Sequence, residues 1–135
     1  MNYREIVLAG RYSQYTALHD FIASFADFQG YSASFLDALQ LSLKEAFVNA
    51  VKHGNRERDE LNVTCSLRAE GTTLLASMRD CGSGFDPDEL PDPADRRHRL
   101  RLSGRGVYII RSIAEITAIE RDKDGTTLKL RYISY

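Results

Sequence analysis

The chain has 135 residues, a length that fits one domain with a hydrophobic core of its own. Eighteen lysines and arginines balance 19 aspartates and glutamates, so the formal net charge is −1. Proteins that bind nucleic acid or anionic membrane surfaces usually carry a basic excess, so this balance argues against both classes. No run approaches the ~20 apolar residues of a membrane span, and the first residues lack a secretory signal pattern. We therefore expect a cytoplasmic protein.

The two cysteines, Cys65 and Cys81, do not have the spacing of metal ligands. Free thiols in a reducing compartment are the simpler interpretation, and a disulfide is the alternative. The three histidines are scattered along the chain, which argues against a structural zinc site.

Hydrophobic periodicity predicts one strand and two helices in the first half of the chain. Residues 3–9 form the strand, and apolar residues recur at helical spacing from Ser13 to about Phe28. Ser32 and Ser34 are both candidate N-caps of a second helix that runs to about His53. The glycine and asparagine that follow His53 are typical of a helix end.

The second half predicts two hairpins separated by a long loop and a helix. The predicted segments are strands 61–67 and 73–78, a loop over 81–103, a helix that starts at 104–106, and strands 115–121 and 126–133. Consecutive hairpins imply a mostly antiparallel sheet, with the helices on one face. The fold class is therefore an α/β (α+β) two-layer sandwich, in a single domain over residues 1–135.

Three polar residues of the second helix, Glu45, Asn49 and His53, are spaced four residues apart and share one side of a regular helix. A carboxylate one turn from a carboxamide suits a general base beside a magnesium ligand, because Mg²⁺ prefers oxygen donors. On spacing alone, the same residues also fit an ordinary solvated helix face.

Two glycine-rich segments lie at the boundaries of predicted elements. Asp80, Gly82 and Gly84 stand directly after a predicted strand, where a carboxylate can accept a hydrogen bond from an exocyclic amine. Residues 104–106, Gly-Arg-Gly, open a helix whose N-terminal amides favour an anion. An ordinary glycine turn and a simple helix entry are the alternatives.

Two further features flank these segments. Four arginines upstream of the third helix lie in a stretch without acidic residues, and suit either phosphates or an acidic partner; they are Arg96, Arg97, Arg99 and Arg101. Thr126 and Thr127 begin the last strand after Gly125, where their hydroxyls suit either a ligand or a strand.

Taken together, the order and spacing of these motifs resemble the GHKL superfamily of ATP-binding proteins. The phrase Glu-Ala-Phe-Val-Asn-Ala-Val-Lys-His-Gly over 45–54 most resembles the anti-sigma-factor serine/threonine kinases of bacterial partner switching. The resemblance covers about residues 5–133. It implies a Bergerat-type ATP-binding fold, with ATP and Mg²⁺ as cofactors and a nucleotide lid over 86–103.

The resemblance also implies roles for single residues. Glu45 would be the catalytic base, and Asn49 would ligate Mg²⁺. Asp80 would accept the adenine amino group. The remaining nucleotide-binding residues would be His53, Gly82, Gly84, Gly104, Arg105, Gly106, Thr126 and Thr127.

The implied function is ATP-dependent phosphorylation of a serine or threonine on a small anti-anti-sigma (STAS-type) protein. The implied partners are that protein and a sigma factor, with a homodimer as the expected assembly. One alternative is a nucleotide-gated anti-sigma or adaptor module without catalysis. Another is one half of a split histidine kinase, although the chain shows no phosphoacceptor helix pair.

Overall fold

The computed structural model describes residues 2–55, 58, 60–82 and 104–135, with residues 104 and 105 described by their backbone alone. The elements in chain order are β1 (Tyr3–Ala9), α1 (Tyr15–Gln29), α2 (Ala33–Asn49), β2 (Asn62–Glu70), β3 (Thr73–Asp80), α3 (Gly104–Ile113), β4 (Glu115–Asp122) and β5 (Gly125–Ile133). A short 3-10 turn over Tyr12–Gln14 leads into α1. The predicted order of strands and helices is confirmed.

The strands form one sheet in the order β1-β2-β3-β5-β4, and all four neighbouring pairs are antiparallel. Hairpins join β2 to β3 and β4 to β5, as the sequence predicts. The central strands β3 and β5 pair with Arg79 opposite Thr127. This register brings the last residues of β3 and the first residues of β5 to the same end of the sheet. The candidate site lies at that end.

One hydrophobic core lies between the helices and one face of the sheet. Alternate residues of β2, β3 and β5 point into it, as expected for a half-buried antiparallel sheet. Its largest fully buried side chains include Leu18, Ile22, Phe35, Leu39, Leu43, Phe47, Leu67, Leu74, Leu130 and Tyr132. The opposite face of the sheet carries polar pairs, including Ser66 with Ser77 and Arg131 with Glu115. The predicted two-layer α+β sandwich is confirmed.

Helix α2 is fixed to the sheet by a buried polar contact as well as by its apolar face. The hydroxyls of Ser42 and Tyr132 lie 2.6 Å apart inside the core. Ser42 also donates to the Leu39 carbonyl one turn earlier. Because buried hydroxyls need partners, this pair fixes the position of α2 against β5 more narrowly than apolar packing alone.

The end of α2 differs from the prediction of one regular helix to about His53. The α-helix ends at Asn49, and Ala50–Gly54 forms a π-helical turn that the Asn55 N–H closes on the Ala50 carbonyl at 2.8 Å. A π turn holds one residue more than an α turn, so it shifts the direction of everything that follows it. Tertiary contacts favour the wider turn, because Gly54 and Asn55 pack directly against β3 and β2.

Both cysteines are free thiols, as predicted. Cys65 is fully buried in β2, and burial raises the pKa of its thiol to about 12. Cys81 is half-buried directly after β3. Among the described residues, we find no helix with the length and apolar character needed to cross a bilayer.

The predicted lid over 86–103 lies outside the described residues, as does Gly84. The described chain leaves the site at Gly82 and returns at Gly104.

The N-cap of α2 gives a direct test of the fold. The Ser32 hydroxyl accepts a hydrogen bond from the Phe35 N–H at 3.1 Å, and the same hydroxyl donates to the Tyr135 carbonyl. Ser32→Ala should lower the free energy of unfolding in urea by about 1 kcal/mol, a typical cost of losing an N-cap. Ser34 lies exposed inside the helix, so Ser34→Ala should change stability by about 0.5 kcal/mol at most. Equal losses in both variants would contradict the assignment of Ser32 as the cap.

Candidate functional site

The candidate site is built around Asp80, the last residue of β3. Its side chain points to the helix-covered face of the sheet and is only 6% exposed. Its Oδ1 accepts hydrogen bonds from the backbone N–H groups of Gly82, at 3.2 Å, and Thr126, at 3.1 Å. Two strand ends therefore hold one carboxylate oxygen in place, and the other oxygen, Oδ2, faces Gly54.

Burial raises the pKa of the Asp80 carboxyl above its ordinary value. The N–H donors of Gly82 and Thr126 and the guanidinium groups of Arg79 and Arg121 act in the opposite direction without cancelling the effect. Desolvation disfavours the charged form, so this carboxylate costs folding free energy at neutral pH. A buried acidic group that destabilises the fold is a common feature of functional sites.

Glycines allow the backbone to approach Asp80 closely. A Cβ atom on Gly54 would lie 2.0 Å from Asp80 Oδ2, and a Cβ on Gly82 would lie 1.8 Å from the Gly54 carbonyl oxygen. No side chain fits at either position while the backbone stays in place. The π turn and the segment after β3 are therefore in direct backbone contact, with the Asp80 carboxylate at their junction.

The polar residues of α2 differ in their exposure. Glu45 is half-buried, Asn49 is 3% exposed at the last α-helical position, and His53 is exposed within the π turn. Glu45 and Asn49 lie on the same side of α2. Because a π turn holds one residue more than an α turn, His53 does not continue that side. The structure thus keeps Glu45 and Asn49 one turn apart on α2, and places Asn49 and Gly54 at the two ends of the turn that reaches Asp80.

The two threonines of β5 have separate environments. Thr126 lies beside Asp80, to which its N–H donates. Thr127 is paired with Arg79 on the opposite face of the sheet, where its hydroxyl accepts a hydrogen bond from Arg79 Nη1 at 2.9 Å. The structure therefore brings Thr126 to the Asp80 carboxylate and separates the Thr127 side chain from it.

Helix α3 begins at Gly104, and Gly106 is buried within its first turn. The backbone of Gly104 and Arg105 follows the predicted helix start, while the Arg105 side chain lies outside the described residues, as do the four arginines over 96–101. The predicted anion site at this helix N-terminus is described only in its backbone.

Asn55 is the main site residue that the sequence motifs did not indicate. In the sequence it is part of a helix stop signal, and in the structure it is 1% exposed. Its side chain accepts a hydrogen bond from the Cys81 N–H, in the peptide that follows Asp80. The sequence shows only an asparagine after a glycine at a helix end. That pattern is equally typical of an ordinary helix end and of an asparagine that bonds the peptide after Asp80.

This arrangement suits a ligand that presents an N–H donor. The Asp80 carboxylate supplies a buried acceptor, and the glycine backbone packed against it holds that acceptor at the end of β3. The side-chain amide of Asn49 supplies an oxygen of the type that Mg²⁺ prefers. Asn49 is the last residue of α2, directly before the π turn. The donor set therefore fits a purine nucleotide with a magnesium ion.

Comparison with known proteins shows the family of this chain. The family model of the histidine kinase-like ATPase domain matches residues 8–132. The serine-protein kinase RsbW of Listeria monocytogenes is 22% identical over 122 residues, which cover 84% of this chain and 76% of that protein. The anti-sigma F factor of Bacillus subtilis is 30% identical over 98 residues, which cover 70% of this chain and 67% of that protein.

A solved structure supports the fold. The structure of the RsbU and RsbW domains of a Mycobacterium tuberculosis protein matches 99% of this chain with a TM-score of 0.69 and 16% sequence identity. The match spans 32% of that longer chain. The chain therefore belongs to the histidine kinase-like ATPase family, and within this GHKL-type family it is similar to the RsbW proteins and anti-sigma F factor.

Proposed function

We propose that this protein is an ATP-dependent serine/threonine protein kinase and anti-sigma factor that phosphorylates a small anti-anti-sigma protein. The observation that carries the proposal is the buried Asp80 carboxylate, held by two strand ends beside a turn that begins at Asn49. The names of the relatives, serine-protein kinase RsbW and anti-sigma F factor, support the reaction and the partners.

Nucleotide binding would use the two ends of the π turn. Asp80 Oδ2 would accept the adenine amino group, because Oδ1 already accepts two backbone N–H groups. Thr126 and Gly82 would line the base through the backbone that holds Asp80. The Asn49 side-chain oxygen would ligate Mg²⁺, which in turn would neutralise phosphate charge.

Glu45 would act on the protein substrate. It is half-buried and lies one helical turn before Asn49, so its carboxylate would lie on the same side of α2 as the proposed magnesium ligand. ATP would supply the phosphoryl group. Glu45 would accept the proton of the attacking serine or threonine hydroxyl, and the new oxygen–phosphorus bond would form as the bond to ADP breaks.

The remaining expectations follow the same proposal. Gly104, Arg105 and Gly106 would bind phosphates at the start of α3, under a lid over 86–103. Gly84, just before the lid, would lie beside the adenine ring. His53 would contact the nucleotide from its exposed position in the π turn. The Thr127 side chain lies on the far face of the sheet, bonded to Arg79, so it would not contact the nucleotide while β5 keeps its register with β3. The expected partners are a STAS-type substrate and a sigma factor, with a homodimer in the cytoplasm.

A second candidate is a nucleotide-gated anti-sigma or adaptor module that binds partners without phosphoryl transfer. It is favoured by the name anti-sigma F factor, which describes binding alone. Both candidates share the nucleotide site, and they differ in whether Glu45 has a chemical role.

Asp80→Asn tests whether Asp80 recognises the nucleotide base, because it changes the hydrogen bond to the base while keeping the backbone hydrogen bonds. The asparagine oxygen keeps both backbone hydrogen bonds, but its Nδ2 donor faces the adenine amino group. ADP affinity measured by calorimetry should fall at least about tenfold, whereas inosine diphosphate, which has an acceptor at that position, should be favoured over ADP. Asp27→Asn, at an exposed carboxylate on α1, should leave ADP affinity unchanged.

The same variant gives a pH test. The folded pKa of Asp80 is raised, so its charge lowers stability above that pKa, and this penalty disappears as pH falls through it. At pH 7, Asp80→Asn should therefore unfold at the same or a higher urea concentration than the wild type. As pH is lowered, the wild type should gain stability relative to the variant. A wild type that loses stability relative to Asp80→Asn on acidification would contradict this assignment.

Asn49→Ala tests the magnesium ligand. Wild-type affinity for ADP should be higher with Mg²⁺ than with EDTA, because the metal joins the phosphates to the protein. The variant should retain the affinity measured in EDTA and lose most of the magnesium-dependent gain. An unchanged gain would place the metal ligand elsewhere.

Glu45→Gln tests the kinase reaction. With radiolabelled ATP, Mg²⁺ and purified STAS-domain proteins from the source organism, the wild type should form acid-stable phosphoserine or phosphothreonine. The variant should lose about 100-fold or more of the rate, in the range of general-base loss, while ADP affinity is unchanged. Asp37→Asn, at an exposed carboxylate on the same helix, is the matched control.

ADP binding without transfer to any of these substrates would favour the adaptor module. Acid-labile phosphate would instead indicate a histidine acceptor.

A further inference from the structure

Asn55 connects three separate parts of the candidate site. Its backbone N–H closes the π turn on the Ala50 carbonyl at 2.8 Å. Its side-chain Nδ2 donates to the carbonyls of Leu61 and Asn62, each at 3.1 Å, at the beginning of β2. Its Oδ1 accepts the Cys81 N–H at 2.9 Å, just after β3.

An asparagine amide matches these partners one for one. It offers two N–H donors and a carbonyl acceptor, and the described contacts use both kinds. Aspartate would place a charge against two carbonyl oxygens, and serine offers a single donor. At 1% exposure there is little access for solvent to replace a missing hydrogen bond. The geometry therefore requires this residue type for a fully bonded junction.

The peptide that Asn55 contacts is the one that carries Asp80. The Cys81 N–H and the Asp80 carbonyl belong to the same planar unit. On its other side, that carbonyl packs against Gly125, where a Cβ atom would lie 2.0 Å from the oxygen. The peptide is thus fixed at both ends, by Asn55 through its N–H and by the beginning of β5 through its carbonyl.

We propose that Asn55 is a positioning residue for nucleotide recognition: it fixes the Asp80–Cys81 peptide to the π turn and so directs the Asp80 carboxylate at the base. This inference rests on the proposed function. It also assigns a role to the π turn. One rigid turn then sets the distance between Asn49, the proposed magnesium ligand, and Asp80, the proposed acceptor for the base.

The test compares ADP with inosine diphosphate, which differs from ADP at the base position that Asp80 contacts. Asn55→Ala should lower ADP affinity about tenfold, as expected when a residue that orients a ligand group is removed. Its affinity for inosine diphosphate should change much less, so the preference for ADP should decrease. A purely structural role would lower both affinities equally or leave both unchanged.

Gln40→Ala is the matched control for stability. Gln40 is also a buried amide, and its Nε2 donates to the His19 carbonyl between α1 and α2, away from Asp80. This variant should lose stability in urea but keep the wild-type preference for ADP. If Asn55→Ala does not fold, Asn55→Ser serves in its place, because it retains one donor and one acceptor and should show a smaller decrease in the same preference.

Amide hydrogen exchange provides a readout without nucleotide. Loss of the Asn55 side chain should speed exchange at Cys81, Gly82 and Thr126 relative to the centre of β3, and Gln40→Ala should not. An Asn55 variant that keeps the ADP preference would overturn the inference alone. A wild type that binds neither nucleotide would overturn the proposed function, and with it the recognition role of Asn55.

Discussion

The candidate site depends on a buried carboxylate at the edge of the hydrophobic core. Asp80 continues the inward alternation of β3 after Leu74, Ala76 and Met78, so the strand places a charged group where an apolar one would stabilise the fold. Hydrogen bonds from two backbone N–H groups reduce the free-energy cost of burying this charge but do not remove it. The pKa of Asp80 is therefore still raised above its ordinary value. In the proposed function, the base of a nucleotide binds the remaining oxygen.

The π turn follows from the same constraint. An ordinary α-helical turn after Asn49 would keep the residues that follow in the direction of α2. The wider turn instead brings Gly54 against the carboxylate and Asn55 against the ends of β2 and β3. Single π turns are rare and often occur at functional sites, because their less favourable geometry has to be offset by contacts elsewhere. Here the buried hydrogen bonds of Asn55 supply those contacts.

Local patterns were sufficient to predict most of the fold. Alternation predicted the strands, helical periodicity predicted the helices, and the hairpins implied an antiparallel sheet. The motifs also predicted Asp80 and Asn49 as site residues, and the structure buries both side chains. The π turn and Asn55 could not be predicted, because both depend on contacts between segments far apart in the sequence. Thr126 and Thr127 illustrate the same limit: neighbours in a strand must face opposite sides, but only the register with β3 determines which one lies beside Asp80.

The far face of the sheet supports that register. There, Arg79 donates to Thr127 on β5 and to Asp122 on β4, so one guanidinium spans three strands. Directly on the other face, Asp80, Thr126 and Arg121 come from the same three strands. A slip of one residue would exchange the two faces, burying Arg79 in the core and exposing the Asp80 carboxylate. Both faces therefore favour a single register, and the polar contacts of Thr127 help to hold the site even though its hydroxyl lies on the opposite side.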